Sequence, residues 1–199
     1  MRGHPTKHDM ACALSNKCIR MDFSGYPECA VPQSLVADLS GLDGTWWFTL
    51  YNGSDNTFDA QQSCRKVVFS TPSGQVLIGD YTVPLTYKKK TKICGEKGTY
   101  NLLPSGAVEV DHDSMPGYYL EHWYLVHKSK NTLLAKVCIA AENSASSDLR
   151  SYATIVLTRA PLSMLDPAEV QSLDQASQQG LGLALSAYKT ADNSACINN

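Results

Sequence analysis

The chain has no long apolar run. None of its 199 residues lies in a stretch approaching the roughly 18 apolar positions a membrane-spanning helix needs, so no transmembrane helix is expected. It has no marked excess of either charge. Seventeen Lys and Arg stand against 19 Asp and Glu, a net charge of −2, which excludes the broad basic footprint of a nucleic-acid binder. No two of its seven cysteines form a Cys-x-x-Cys pair, so a zinc site is not expected. The start, Met1-Arg2-Gly3-His4-Pro5, lacks an apolar core and does not read as a secretory signal. Either a targeting peptide has been removed, or the numbering begins at a trimmed position. The length allows one domain with extensions and is short for two separate cores.

The cysteines stand at 12, 18, 29, 64, 94, 138 and 196. Such a number in a chain of this size fits disulfides in an oxidising compartment. An odd count leaves one thiol free or paired outside the chain. Cys138, in an apolar stretch, also fits a reduced core thiol.

Residues 1–31 carry Cys12, Cys18 and Cys29 without a clean period and read as a short irregular arm held by disulfide; residues 32–199 read as one domain. Residues 34–42 are expected to form a helical turn under a barrel floor. From 45 to 159, short apolar or alternating runs are separated by turn residues. Strands are expected at Thr45–Tyr51, Lys66–Ser70, Gln75–Tyr87 with a break near Pro84, Thr91–Asn101, Ala107–Asp111, Tyr118–His127, Leu133–Ala140 and Tyr152–Arg159. Asn52-Gly53, Pro72-Ser73-Gly74, Pro104-Ser105-Gly106 and Pro116-Gly117 supply turns at barrel-like spacing. The expected fold is all-β: an eight-stranded up-and-down antiparallel barrel able to hold one small ligand. A C-terminal helix is expected over about 166–189, with Asp166 as cap, Pro167 at its first position and Glu169 completing a capping box. Lys88-Lys89-Lys90-Thr91-Lys92 is the one strong charge run; it reads as a solvated strand connection, or as a contact for an anionic lipid surface or acidic partner.

Gly44-x-Trp46 resembles the opening signature of a lipocalin barrel. Four segments together resemble violaxanthin de-epoxidase, the lipocalin-type plastid enzyme that removes epoxides from xanthophylls. They are Gly44-Thr45-Trp46-Trp47 running to Phe58-Asp59-Ala60 and Cys64; Val110-Asp111-His112-Asp113 leading to Tyr118-Tyr119-Leu120-Glu121-His122-Trp123-Tyr124; Ile155-Val156-Leu157-Thr158-Arg159; and the helix ending in Thr190-Ala191-Asp192-Asn193-Ser194-Ala195-Cys196. They span most of 30–196. The resemblance implies that Arg159 covers Trp46 by a cation–π contact. It also implies a Cys64–Cys196 bridge, which closes a loop of more than a hundred residues and contributes at most about 4–5 kcal/mol in the chain-entropy model.

Reducing an epoxide to an alkene requires a proton donor for the departing oxygen, a reductant (ascorbate in the family), and exclusion of water. Burial in an apolar barrel disfavours a carboxylate and so turns an ordinary Asp or Glu into a suitable acid. The resemblance points to Asp59 and Glu121 as the catalytic carboxyls. Trp46, Phe58, Tyr119, Trp123 and Ile139 are the implied substrate contacts, and His112 the implied pH-responsive group. An unperturbed imidazole charges near pH 6.5. Alternation puts Glu121 on one strand face with Tyr119, Trp123 and Leu125. The opposite face, Leu120, His122, Tyr124 and Val126, is nearly as apolar, so the pattern leaves open which face is inside.

This chain departs from the family pattern. Glu121 stands where the family has aspartate, moving the carboxyl roughly 1.5 Å outward, and misplacement by about 1 Å can cost a hundredfold in rate. Ile139 stands where the family has a catalytic tyrosine, and no tyrosine occurs from Leu125 to Ser151. The arm is shorter than the family's cysteine-rich domain, and the sequence ends at Asn199 without the Glu-rich tail tied to membrane association. The expectation is therefore a plastid, thylakoid-lumen lipocalin that binds a carotenoid or xanthophyll, or acts as an accessory subunit. Its partners would be the thylakoid membrane surface or a photosystem or light-harvesting complex. The alternative is an active, acid-dependent xanthophyll de-epoxidase using ascorbate. Neither reading calls for a metal.

Overall fold

The structure is a computed structural model. It describes residues 26–53, 64–71, 77–87, 90–112, 119–141, 149–191 and 193, with the backbone alone at 81, 83–87, 90–96, 119–120, 141 and 149–151.

Runs rich in β-branched and aromatic residues form the strands. They are β1 (Gly44–Gly53), β2 (Lys66–Ser70), β3 (Leu77–Tyr87), β4 (Lys90–Leu102), β5 (Val108–His112), β6 (Tyr119–Lys128), β7 (Thr132–Ala141) and β8 (Leu149–Thr158). Each pairs antiparallel with the next, and β1 closes the ring by pairing with both β2 and β8. Closure works because β1 is long and kinked. Its first half pairs with β2 from Gly44 to Trp47; past an irregularity between Phe48 and Leu50, its second half follows β8 to Gly53. A short β9 (Lys189–Thr190) then takes the side of β1 that β2 has left, at Leu50 and Tyr51. The result is the expected eight-stranded antiparallel barrel.

Three apolar clusters organise it. Inside lie Trp46, Phe48, Val67, Phe69, Tyr100, Val108, Val110, Trp123, Leu125, Leu133, Leu157 and their neighbours. Outside, one cluster packs Tyr124, Cys138 and Ala140 under Cys29 of the arm. A second outer cluster packs Val126, Leu134 and Val156 under Leu173 and Tyr188. The outer face of β6 is therefore apolar because the arm and the helix cover it, which resolves the ambiguity in the sequence. Glu121, Trp123 and Leu125 share the inner face.

The helix α1 (Pro167–Leu181) starts as expected, with Asp166 accepting from the Ala168 N–H at 2.8 Å. It ends earlier than 189. Gly182 adopts a left-handed conformation (φ 69°) and its N–H bonds back to the last turn, the usual glycine stop. Leu183, Leu185 and Tyr188 continue the apolar pattern in and around a short 3-10 turn that precedes β9. Glu169 does not close a capping box. Its carboxylate accepts from the Ser129 hydroxyl, the Asn131 N–H at 3.2 Å and the Asn131 amide at 3.1 Å, so it fastens the helix to the β6–β7 turn.

Residues 34–42 form no helix. The Val36 N–H bonds to the Leu125 carbonyl at 2.8 Å, and Asp38 accepts from the Ser40 N–H at 2.8 Å, a local bond that competes with helix. Val36, Leu39 and Leu42 still reach the inner core, from an extended segment. Pro84 does not break β3. It pairs with Ile93 of β4 at a level where β2, which ends its pairing at Lys66–Thr82, no longer flanks the strand; proline is tolerated on such an edge. Lys90, Thr91 and Lys92 belong to β4, whereas Lys88 and Lys89 lie outside the described residues. No helix among the described residues is long and apolar enough to cross a membrane.

The disulfide between Cys29 and Cys138 joins the arm to β7. The arm is thus stapled to the barrel wall, and Cys138 is not a reduced core thiol. Lys136 reinforces the seam, its ammonium donating to the Ala30 carbonyl at 3.0 Å.

Candidate functional site

Trp46 is fully buried at the end of the barrel where β1 begins. Its indole N–H donates to the Leu42 carbonyl at 2.6 Å, and the Arg159 guanidinium lies 4.2 Å from its ring centroid. Arg159 also donates to the carbonyls of Gly41 (3.0 Å), Asp43 (2.8 Å) and Lys130 (3.0 Å), sewing three segments over the barrel floor. Gly44 is required here: its φ is 105°, and a Cβ would meet the Arg159 Nη1 at 2.7 Å. Trp46, also expected to touch a ligand, is engaged in this closure instead.

Glu121 and His112 lie toward the other end of the barrel, where β1 ends and β2 begins. Asp59 and Phe58 fall outside the described residues, as do the connections 54–63, 88–89, 113–118 and 142–148. Tyr119 is the first residue of β6, and only its backbone is described. Glu121 is inside the barrel, 7% exposed. Its cross-strand neighbours are Val110 on β5 and Ile139 on β7, both apolar. One carboxyl oxygen accepts from the Trp123 indole N–H, and the other lies 2.8 Å from the His112 Nε2.

His112 is the last residue of β5 and 5% exposed, not a solvated turn residue. It points inward because Val110 and Val108 do, two and four positions back on the same strand. Its sheet neighbour on β4 is Gly98, where a Cβ would stand 3.0 Å from Val110 and 3.6 Å from the His112 Nδ1. The tight approach is that of Val110, which a side chain at 98 would press, while the imidazole lies at ordinary contact distance.

The sequence named Glu121 and His112 separately and missed that they touch. The pairing of Val110 with Glu121 was the available signal: once that hairpin register is set, the next inward residue of β5 is His112. Chemically, the His112–Glu121 contact at 2.8 Å is a hydrogen bond that ties the imidazole to the carboxyl. Trp123 fixes the second oxygen, so the carboxyl has one orientation. Between its apolar neighbours Val110 and Ile139 this is a defined polar point for a ligand's hydroxyl, carbonyl or amine. Ile139, directly across from Glu121, is partly buried against the inner core and brings no hydrogen-bonding group.

Cys64 is disulfide-bonded; Cys196 lies outside the described residues. The Cys64 N–H donates to the Asn193 side chain at 2.8 Å, and Asn193 donates in turn to the Phe48 carbonyl at 2.8 Å. The chain end three residues before Cys196 is therefore held beside Cys64. Among the described residues, no group of three or more His, Cys, Asp or Glu is placed to hold a metal.

No protein-family model and no curated protein matches the sequence. Solved structures do match in shape. A major allergen of cockroaches, Per a 4, is 11% identical, aligned over 85% of this chain and 95% of its own, with a TM-score of 0.60. A bovine odorant-binding protein variant is 13% identical over 76% of this chain and 93% of its own, at a TM-score of 0.50. The siderocalin Ex-FABP is 8% identical over 76% and 94%, also at 0.50. At such identities the likeness concerns the fold alone, and together with the closed antiparallel barrel, the capped floor and the outer helix it gives this chain the lipocalin fold.

Proposed function

We propose that this protein binds a small, largely apolar molecule in the half of its barrel away from the capped floor, with a polar group of that molecule meeting the Glu121–His112 pair. The observation that carries this reading is the buried carboxyl on the inner face of β6, orientated by Trp123 and His112 among apolar neighbours. The neighbours in fold include an odorant-binding protein and a siderocalin described as having dual ligand specificities, in keeping with a small-molecule partner.

The finer reading is a xanthophyll or related carotenoid, held in the thylakoid lumen of a chloroplast at the membrane surface or beside a photosystem or light-harvesting complex. It draws on the order of the four segments shared with violaxanthin de-epoxidase. In that reading the protein is a binder or accessory subunit, because Ile139 places a hydrocarbon opposite the carboxyl where the family has a hydroxyl. Phe58, Tyr119, Trp123 and Ile139 would line the ligand.

A second reading is favoured by one observation: Glu121 faces inward and contacts His112. In it, Glu121 and Asp59 act as acids for epoxide opening, His112 supplies pH response, and ascorbate is the reductant. The test is chromatography of pigments after incubation with violaxanthin, lipid and ascorbate at pH 5 and pH 7. Antheraxanthin or zeaxanthin formed at pH 5, and lost in Glu121→Gln, would establish the second reading. Violaxanthin bound but unchanged would establish the binder. Neither binding nor product would reject both for this pigment.

A further inference from the structure

Phe69, Tyr100 and Trp123 form a continuous aromatic row inside the barrel. The Phe69 and Tyr100 rings meet edge to face at 5.1 Å, and those of Tyr100 and Trp123 at 5.4 Å, both with planes 87° apart. Each is no more than 3% exposed. The row therefore runs from β2 through β4 to β6. Gly79 and Gly98 are paired in the wall between β3 and β4. At Gly79 a Cβ would stand 2.7 Å from the Tyr100 ring and 3.0–3.1 Å from Val67 and Phe69, so the missing side chain is what lets the Tyr100 ring lie against the wall and reach Phe69. The row packs in one core with Leu42, Trp46, Leu125, Leu133 and Leu157. One inward step along β6 from Trp123, toward the end where β6 begins, is Glu121 with His112. Trp123 belongs to both: its ring ends the row and its N–H holds the carboxyl.

Resting on the small-molecule reading above, we propose that this aromatic row is the floor of the ligand chamber and that Tyr100 sets its depth. The chamber is then half a barrel. It admits a ligand whose polar group meets Glu121 and His112 while its apolar chain folds down onto the row, and it rejects ligands that must pass below Trp123. Tyr100 is the residue that decides this, since its ring bridges the gap between Phe69 and Trp123. Removing it joins the chamber to the capped half.

The test uses the full chain and straight-chain 1-alkanols of 6 to 14 carbons, displacing the fluorescent apolar probe 1-aminoanthracene, in the wild-type protein, Tyr100→Ala and Tyr100→Leu. Affinity should rise about fourfold per buried methylene until the chain outgrows the chamber, then level off. The floor predicts that both variants, in proportion to the space opened, move that break to longer alkanols. Thermal melting confirms which variants are folded, and Leu, which keeps much of the ring's volume, serves if Ala is not. A break at the same length in the wild type and the folded variant would overturn the floor while leaving ligand binding intact. Failure of the wild type to bind probe and alkanols would instead overturn the small-molecule reading on which the floor rests.

Discussion

The Cys29–Cys138 bridge offers a perturbation whose size follows from the structure. It joins residues 109 apart in sequence, tying the arm to the outer face of β7. In the chain-entropy model a loop of that length removes about 16 cal/mol/K from the unfolded chain, or about 4–5 kcal/mol at 25 °C, as an upper bound. Both cysteines are fully buried in the cluster with Tyr124, Ala107 and Ala140. The double variant Cys29→Ala, Cys138→Ala removes this bridge alone, whereas reductant would also open the disulfide at Cys64. For a domain of this size each kcal/mol moves the melting temperature by about 2–4 °C, so a fall of roughly 8–20 °C is expected. The assay is thermal unfolding by circular dichroism under non-oxidising buffer, paired with limited proteolysis. The double variant should also become susceptible to cleavage near residues 30–33, because the arm loses its anchor. A melting temperature lowered by less than about 2 °C, with the arm still protected, would refute the reasoning that the bridge holds the arm against the wall.

Acid should weaken the floor of the barrel. The Asp38 carboxyl is held at about 2, first by its hydrogen bond from Lys128, then by Ser40. A carboxyl with a lowered pKa in the folded state adds stability above its ordinary value and loses it as the pH falls. The contribution of Asp38 should therefore be complete above pH 4 and disappear between pH 4 and 2, and Asp38→Asn should flatten the unfolding profile across that window; an unchanged profile would contradict the assignment. Arg159→Lys keeps the charge and loses the stacked, forked geometry over Trp46. It should cost about 1–2 kcal/mol in denaturant unfolding followed by tryptophan fluorescence, and full stability in the lysine variant would argue that charge alone suffices.

Much of the barrel was legible because its strands are short apolar runs between turn residues, and the observed strand ends fall within a few positions of the expected ones. Departures arose where local pattern competes with a distant contact. Leu183, Leu185 and Tyr188 are apolar like the helix before them, yet Gly182 turns the chain and these residues pack on the barrel in and around a 3-10 turn that precedes β9. Val36, Leu39 and Leu42 look like one helical face, but the Asp38–Ser40 bond and the ladder to Leu125 hold them extended. Glu169 satisfied the spacing of a capping box, and a partner 38 residues away in sequence, Asn131, took its carboxylate. The two faces of β6 could not be told apart by hydropathy because both are covered. The contact between Glu121 and His112 required the register between β5 and β6, which no single-strand pattern contains. The partner of Cys64 and the environment of Asp59 depend on residues outside those described.

The central claim is that the half of the barrel away from the capped floor, with Glu121 at its base, is where a small apolar molecule binds. Ile139 lies directly across from Glu121 and leans on the inner core, so Ile139→Trp should fill that space without touching the floor or the arm. The most direct measurement is a titration with violaxanthin in mild detergent, following quenching of the tryptophan fluorescence in the wild-type protein and in Glu121→Gln, with Ile139→Trp read by retention of pigment on gel filtration. Saturable one-to-one binding that weakens by tenfold or more in Ile139→Trp, while that variant melts normally, is the predicted result. Binding undiminished by the bulky side chain would place the ligand outside the barrel and contradict the account.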